Sequence, residues 1–306
     1  MFDDYRNDEQ VQTAIRNLFM GCVPERRAEL EDLWTRFSLE FRLTSDIHEG
    51  ERIIMDAGCY RYVRFNHRVL RAFWIAAFVA WEGYSAIHRS LTSDQPLELG
   101  QFIVLIEGFE KVISSDSPEP EPLPEGVPEP GLYVDRSIDV QARAASELAT
   151  FAVGWALLHE LRHIRHQHEG TSADFHVPDP EPKRGEELSC DRFATLFLLE
   201  KANDYAGSEN VAPERVRQKR ELGVYFALFA LTLLAKKNWD DTPTHPAVQT
   251  RIWAASDAIG PAASEPARAI GHMAFAALSC LWPGAPGVFY RAQGAVGGDG
   301  LSQRSS

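Results

Sequence analysis

Trp155-Ala156-Leu157-Leu158-His159-Glu160-Leu161-Arg162-His163-Ile164 is the stretch on which the reading of this chain turns. Leu157, Leu161 and Ile164 recur at helical spacing, and so do His159 and His163. A helix therefore sets both imidazoles on one face, about a turn apart, and the apolar stripe on another. One face packs while the other ligates. Both imidazoles can reach a single zinc ion with Glu160 beside it as a general base, which is the chemistry of an H-E-x-x-H pattern. A random order of this composition would yield the pattern about 0.03 times per chain, so a third ligand is what separates a metal site from a solvated charged face.

One route to a third ligand, a turn glycine at 166 followed by His or Asp at 169, is closed because the chain has His166 and Glu169 there. The other is Glu187-Leu188-Ser189-Cys190-Asp191, downstream in a second helical pattern. Its carboxylates are four apart and share a face. Glu187 completes a His₂Glu site, and Asp191 takes the ring N–H of a ligand histidine. Glu186 competes for the ion, but its partner four residues on is Cys190, a poor acceptor, so Glu187 is preferred. His166, surrounded by Arg162, Arg165 and His168, reads as a solvated helix end. Thr244-His245-Pro246, with Arg251 six residues after the histidine, reads on its residues alone as a helix start with Arg251 on a surface carboxylate.

Helical patterns surround this centre at roughly 138–168, 186–201, 212–236, 246–259 and 264–282. Upstream, residues 24–36 read as a polar helix, and Phe37, Leu39, Phe41 and Leu43 alternate with polar residues as in a strand. Short β-like runs at 52–55 and 60–65 flank Asp56-Ala57-Gly58, a turn signal. From Val69 to His88 the residues Phe73, Trp74, Phe78, Trp81 and Tyr84 give a helix with an aromatic core face. The run 102–106 fits helix or strand. Residues 116–131 are rich in proline and acid, which predicts an extended segment with few groups to bury, mobile and removable. The expected fold is α+β, mainly helical, with a small antiparallel sheet near the N-terminus. Its divisions are an α/β part at 1–115, the Pro/acidic loop at 116–131, a helical metal-bearing core at 132–290 and a flexible tail at 291–306.

The 44 acidic residues against 31 basic, net −13, repel phosphates and anionic lipid, which argues against a nucleic-acid partner. The longest apolar stretch, Leu222 to Ala235, falls short of the roughly 20 residues that span a bilayer, so no stable membrane insertion is expected. Scattered cysteines (Cys22, Cys59, Cys190, Cys280) and an opening Met1-Phe2-Asp3-Asp4 without basic or apolar leader character predict a cytoplasmic protein.

Taken together, His159-Glu160-Leu161-Arg162-His163, then Glu186-Glu187-Leu188-Ser189-Cys190-Asp191, then Thr244-His245-Pro246 with Arg251 resemble the helical gluzincin peptidases. These include the integral-membrane HtpX type and the soluble phage-exclusion Lit type, and the lack of a spanning helix favours the second. The resemblance covers roughly residues 147–259. It implies Zn²⁺ held by His159, His163 and Glu187, Glu160 as general base, and His245 and Arg251 near the substrate carbonyl. Arg162 departs from the pattern, which usually has Gly at that turn. The implied activity is that of a zinc endopeptidase on a protein or peptide substrate: in phage defence, a translation factor cut once a phage-derived trigger peptide is present. The competing class is a non-catalytic helical binding protein in which zinc staples two helices, and Glu160 discriminates because a structural site has no use for that carboxylate.

Overall fold

The computed structural model describes residues 9–37, 40–43, 53, 55–58, 60–115, 121–174, 176–236 and 238–288. The expected tail and residues 116–120 of the acidic loop lie outside them, as does Cys59. The fold is mainly helical, with a small sheet near the N-terminus. Ten α-helices are found among the described residues: α1 (Glu9–Gly21), α2 (Arg27–Arg36), α3 (His67–Ser93), α4 (Gly100–Ser114), α5 (Val140–Glu169), α6 (Glu181–Leu199), α7 (Ala202–Glu209), α8 (Pro213–Ala235), α9 (Val248–Ile259) and α10 (Glu265–Leu281).

The metal-motif helix α5 is the central one. The carboxylate of Asp139 caps its start, accepting the backbone N–H of Gln141 and Ala142. Gly170, at φ 68°, ends it in the left-handed conformation that a side chain would strain. Around it α3, α6 and α8 pack directly, α10 closes against α3 and α8, and α9 lies on α6. The apolar run of α8 is buried on all sides, with Val224, Phe226, Ala227, Leu228 and Phe229 fully enclosed. No helix of the described residues is long and apolar enough to cross a membrane. Helix α8 comes close to α5 because residue 223 is glycine: a Cβ there would sit 2.3 Å from Cβ of Phe151.

The ambiguous run at 102–106 is helix α4, since Phe102, Leu105, Ile106, Phe109 and Val112 continue a buried stripe at helical spacing. Helix α1 carries the same pattern in Ile15, Leu18 and Phe19, an element not among those expected from the sequence. The sheet holds β1 (Glu40–Leu43), β2 (Met55–Gly58) and β3 (Tyr62–Phe65) in the order β1-β3-β2. Strands β2 and β3 form the antiparallel pair, whereas β1 adds to β3 in parallel.

Two local expectations are corrected. Asp56-Ala57-Gly58 is not a turn but part of β2, and the reversal falls later, where Tyr60 has φ 65°. Tertiary contacts hold it there: Gln167 accepts the N–H of Tyr60 at 2.8 Å and the His168 ring meets its carbonyl at 2.6 Å. Nor are residues 121–131 loosely attached. Trp74 donates its indole N–H to Pro128 O at 2.8 Å, Arg71 pairs with Glu129 at 2.5 Å and also reaches Glu121 O, and Val127 is buried. Prolines remove donors but leave carbonyls, and these carbonyls satisfy buried donors of α3.

Candidate metal centre and cleft

Helices α5 and α6 face each other across a cleft of about 340 Å³, whose floor carries His159, Glu160, His163 and Glu187. Strand β2 forms one wall with Met55, Asp56 and Ala57. Ring Nδ1 of His159 lies 2.9 Å from Asp191 Oδ1, and ring Nδ1 of His163 lies 2.7 Å from Glu186 Oε1. Both Nδ1 atoms therefore donate to carboxylates, and in the neutral rings both Nε2 atoms present lone pairs. These two lone pairs face each other at 3.2 Å, and each Nε2 is 3.3 Å from an oxygen of Glu187. Glu187 Oε2 is buried with no hydrogen-bond donor.

With both rings neutral, the two Nε2 atoms and the Glu187 carboxylate form a donor set that fits a cation. Ligand atoms about 2.1 Å from one tetrahedral ion lie roughly 3.4 Å apart, which matches these separations. The charge balance agrees. Glu160, Glu186, Glu187 and Asp191 are all buried here, and the guanidinium of Arg251 lies among them. In the metal-free molecule the same field acts on the rings: burial lowers the pKa of His159, but bonds to Asp191 and Glu187 outweigh it and raise the value to about 9. Burial likewise opposes ionisation of Glu187, yet His159 and His163 hold it well below the usual carboxylate range.

His159, His163 and Cys190 also form a group whose ligand atoms lie within 4.8 Å of one another, a candidate metal site in its own right. Burial pushes the Cys190 thiol up to about 11, so the neutral form dominates. Glu160 points to the cleft with its pKa pushed up to about 7 by burial, against the pull of His159 and His163.

Two residues stand differently from expectation. Arg251, expected on its residues alone to pair with a surface carboxylate, instead lines the cleft, buried, with its fork on Asp191, Nε at 2.8 Å from Oδ2 and Nη2 at 2.6 Å from Oδ1. Its charge thus steadies the carboxylate beside His159, which is fully buried and not at the surface. His166 is not a solvated helix end: it is buried, bridging Thr171 Oγ1 at 2.7 Å and Ser189 Oγ at 3.1 Å. His245 does reach the cleft. It sits in the turn before α9, which starts at Val248 rather than at Pro246, with Nε2 3.6 Å from Glu187 Oε1 and the side chain half exposed. Glu186 is the residue whose partner went unread, because that partner lies on α5 and not four residues along its own helix.

Comparison with known proteins gives the class first. The family model described as Peptidase U49 matches residues 63–273, more than two thirds of the chain, and spans every residue of the centre just described. The chain belongs to that peptidase family. Individually it is similar to the "Cell death peptidase" of Escherichia coli (strain K12), at 33% identity over 134 residues, 44% of this chain and 39% of the relative. The match thus spans about two fifths of that relative's length. No solved structure matches.

Proposed function

We propose that the protein is a zinc-dependent endopeptidase of the gluzincin kind, with His159, His163 and Glu187 as ligands. The observation that carries this is the convergence of two imidazole lone pairs and an unpartnered carboxylate oxygen on the floor of an open cleft that also holds Glu160. Glu187 is preferred to Cys190 as third ligand because its carboxylate oxygens lie 3.3 Å from both ring Nε2 atoms, the spacing of ligands around one tetrahedral ion. When bound, the zinc supplies Lewis acidity, making water nucleophilic near neutral pH and polarising a carbonyl.

The chain's own residues do the rest. Glu160, a base poised near neutrality by burial, takes the proton of the attacking water and returns it to the leaving amine. His245 stands where a ring N–H can donate to the carbonyl oxygen as charge develops there. Asp191, braced by Arg251, and Glu186 keep the two ligand rings turned so that Nε2 faces inward. An extended peptide can add along β2, since that strand is an edge of the sheet and lines the cleft. A staple-only zinc site is disfavoured by Glu160, a carboxyl at the cleft beside the ligand pair for which a structural ion has no use.

The biological role we infer is conditional cleavage of an intracellular translation factor, triggered during phage infection. It draws on the resemblance of the motifs and on similarity to a relative named for cell death.

Metal analysis of purified full-length protein tests the centre: about one zinc per chain is expected, lost in His159→Ala and Glu187→Ala. Glu160→Gln should keep the zinc and lose cleavage by on the order of 10²-fold or more. Undiminished turnover in that variant would remove Glu160 from the reaction. Elongation-factor integrity in phage-challenged bacteria, followed by gel with and without the Glu160→Gln change, tests the role separately.

A further inference from the structure

Glu186 is 8% exposed, and its hydrogen bonds reach two other parts of the chain. Its two oxygens are divided between two elements. Oε1 accepts the ring N–H of His163 at 2.7 Å. Oε2 accepts the backbone N–H of Ala173 at 2.5 Å, and Ser172 Oγ stands 3.3 Å from both oxygens. Ser172 and Ala173 belong to the segment that follows the Gly170 cap of α5, and both line the cleft. That segment is fastened a second time by His166, between Thr171 on the segment and Ser189 on α6. One carboxylate thus joins a ligand imidazole to the cleft wall.

We propose that Glu186 is a positioning residue with two coupled tasks. It fixes the tautomer and orientation of His163 so that Nε2 faces the ion, and it holds residues 172–173 at the cleft, so the wall and the ligand move as a unit. Each ligand ring then has a carboxylate of its own: Asp191 for His159 and Glu186 for His163. The assignment rests on the reading of His163 as a zinc ligand. An apolar side chain at 186 does neither task, and an amide cannot do both in this geometry, because the ring N–H and the backbone N–H meet different oxygens and an amide has one acceptor atom.

The test uses the full chain, zinc alone and a chromophoric chelator. In Glu186→Gln, zinc affinity should fall by roughly 10- to 100-fold, the range for loss of an orienting partner of a ligand histidine. Amide hydrogen exchange across residues 171–174 should quicken in the same variant. Glu186→Asp, which keeps the charge but withdraws it by one methylene, should fall between the two in affinity. If Glu186→Gln does not fold, Glu186→Asp and Ser172→Ala still decide, through weakened zinc binding in the first and faster exchange at 171–174 in both. Wild-type affinity with unchanged exchange in these variants, in a protein whose zinc is lost on His159→Ala, would overturn this assignment alone. A wild-type chain that binds no zinc would overturn it together with the peptidase reading.

Discussion

Asp191 shows how a single side chain sets the terms for its neighbours. It is fully buried, and its two oxygens receive the ring N–H of His159 and two N–H groups of Arg251. Burial by itself would raise its pKa, but Arg251 and His159 outweigh burial and hold it below the usual carboxylate range. Removing one partner of such a pair leaves the other charge buried and alone, which costs about 3–5 kcal/mol. Arg251→Ala should therefore lower the unfolding free energy by that amount, read by urea denaturation, and weaken zinc binding as well. A variant as stable as wild type but slow in turnover would instead return Arg251 to the substrate. The sequence alone could not separate these cases, because Arg251 lies 60 positions from Asp191 and only the packing of α9 on α6 brings them together.

Among the elements, α5 and α8 are joined by more than apolar packing. Glu147 of α5 meets Lys219 of α8 and Arg143 of its own helix at 2.7 Å. Burial opposes ionisation of Glu147, but these cations win and its pKa is lowered. A carboxyl whose folded pKa lies below its unfolded value stabilises the fold above the unfolded value of about 4.5, and that contribution is lost as pH falls through the folded pKa. At pH 7, Glu147→Gln should therefore melt below wild type, by about 2 °C if the network contributes about 1 kcal/mol, and the gap should close toward pH 3. Thermal scans across that range check it. A gap that stays constant with pH would show that shape rather than charge matters at this position. The periodicity that marked α3, α5, α6, α8, α9 and α10 in the sequence succeeds because each buries a long stripe, whereas β2 ran past its turn signal because Gln167 and His168 of α5 decide where the chain reverses.

For the molecule as a whole, the acidic proline segment is the instructive case. Its composition argues for a spacer between two parts, yet α3 on one side of it packs against α5, α8 and α10 on the other, around one continuous core. Replacing residues 121–131 by a Gly/Ser linker should leave the indole N–H of Trp74 and the guanidinium of Arg71 without their partners. Each buried donor left unsatisfied costs about 1–3 kcal/mol. The melting temperature should fall by several degrees, with zinc content unchanged because no residue of the segment lines the cleft. A variant that melts with wild type would mean that the segment is the spacer its composition suggests.

The sequence by itself determined the elements and the chemistry that local spacing can carry. An i, i+4 pair of histidines shares a helix face whatever surrounds it, so His159, His163 and the neighbouring Glu160 were legible, and so was the Glu187/Asp191 pair on the next helix. What the tertiary structure decided was every relation across elements: that Asp191 serves His159 while Glu186 serves His163, that Arg251 at the cleft wall braces Asp191, that His166 is packed, and that Pro128 and Glu129 partner Trp74 and Arg71 of α3. The reason is physical. Local spacing fixes which direction a side chain leaves its own helix, but the partner that satisfies a buried charge or donor is chosen by the packing of helices that the spacing does not encode.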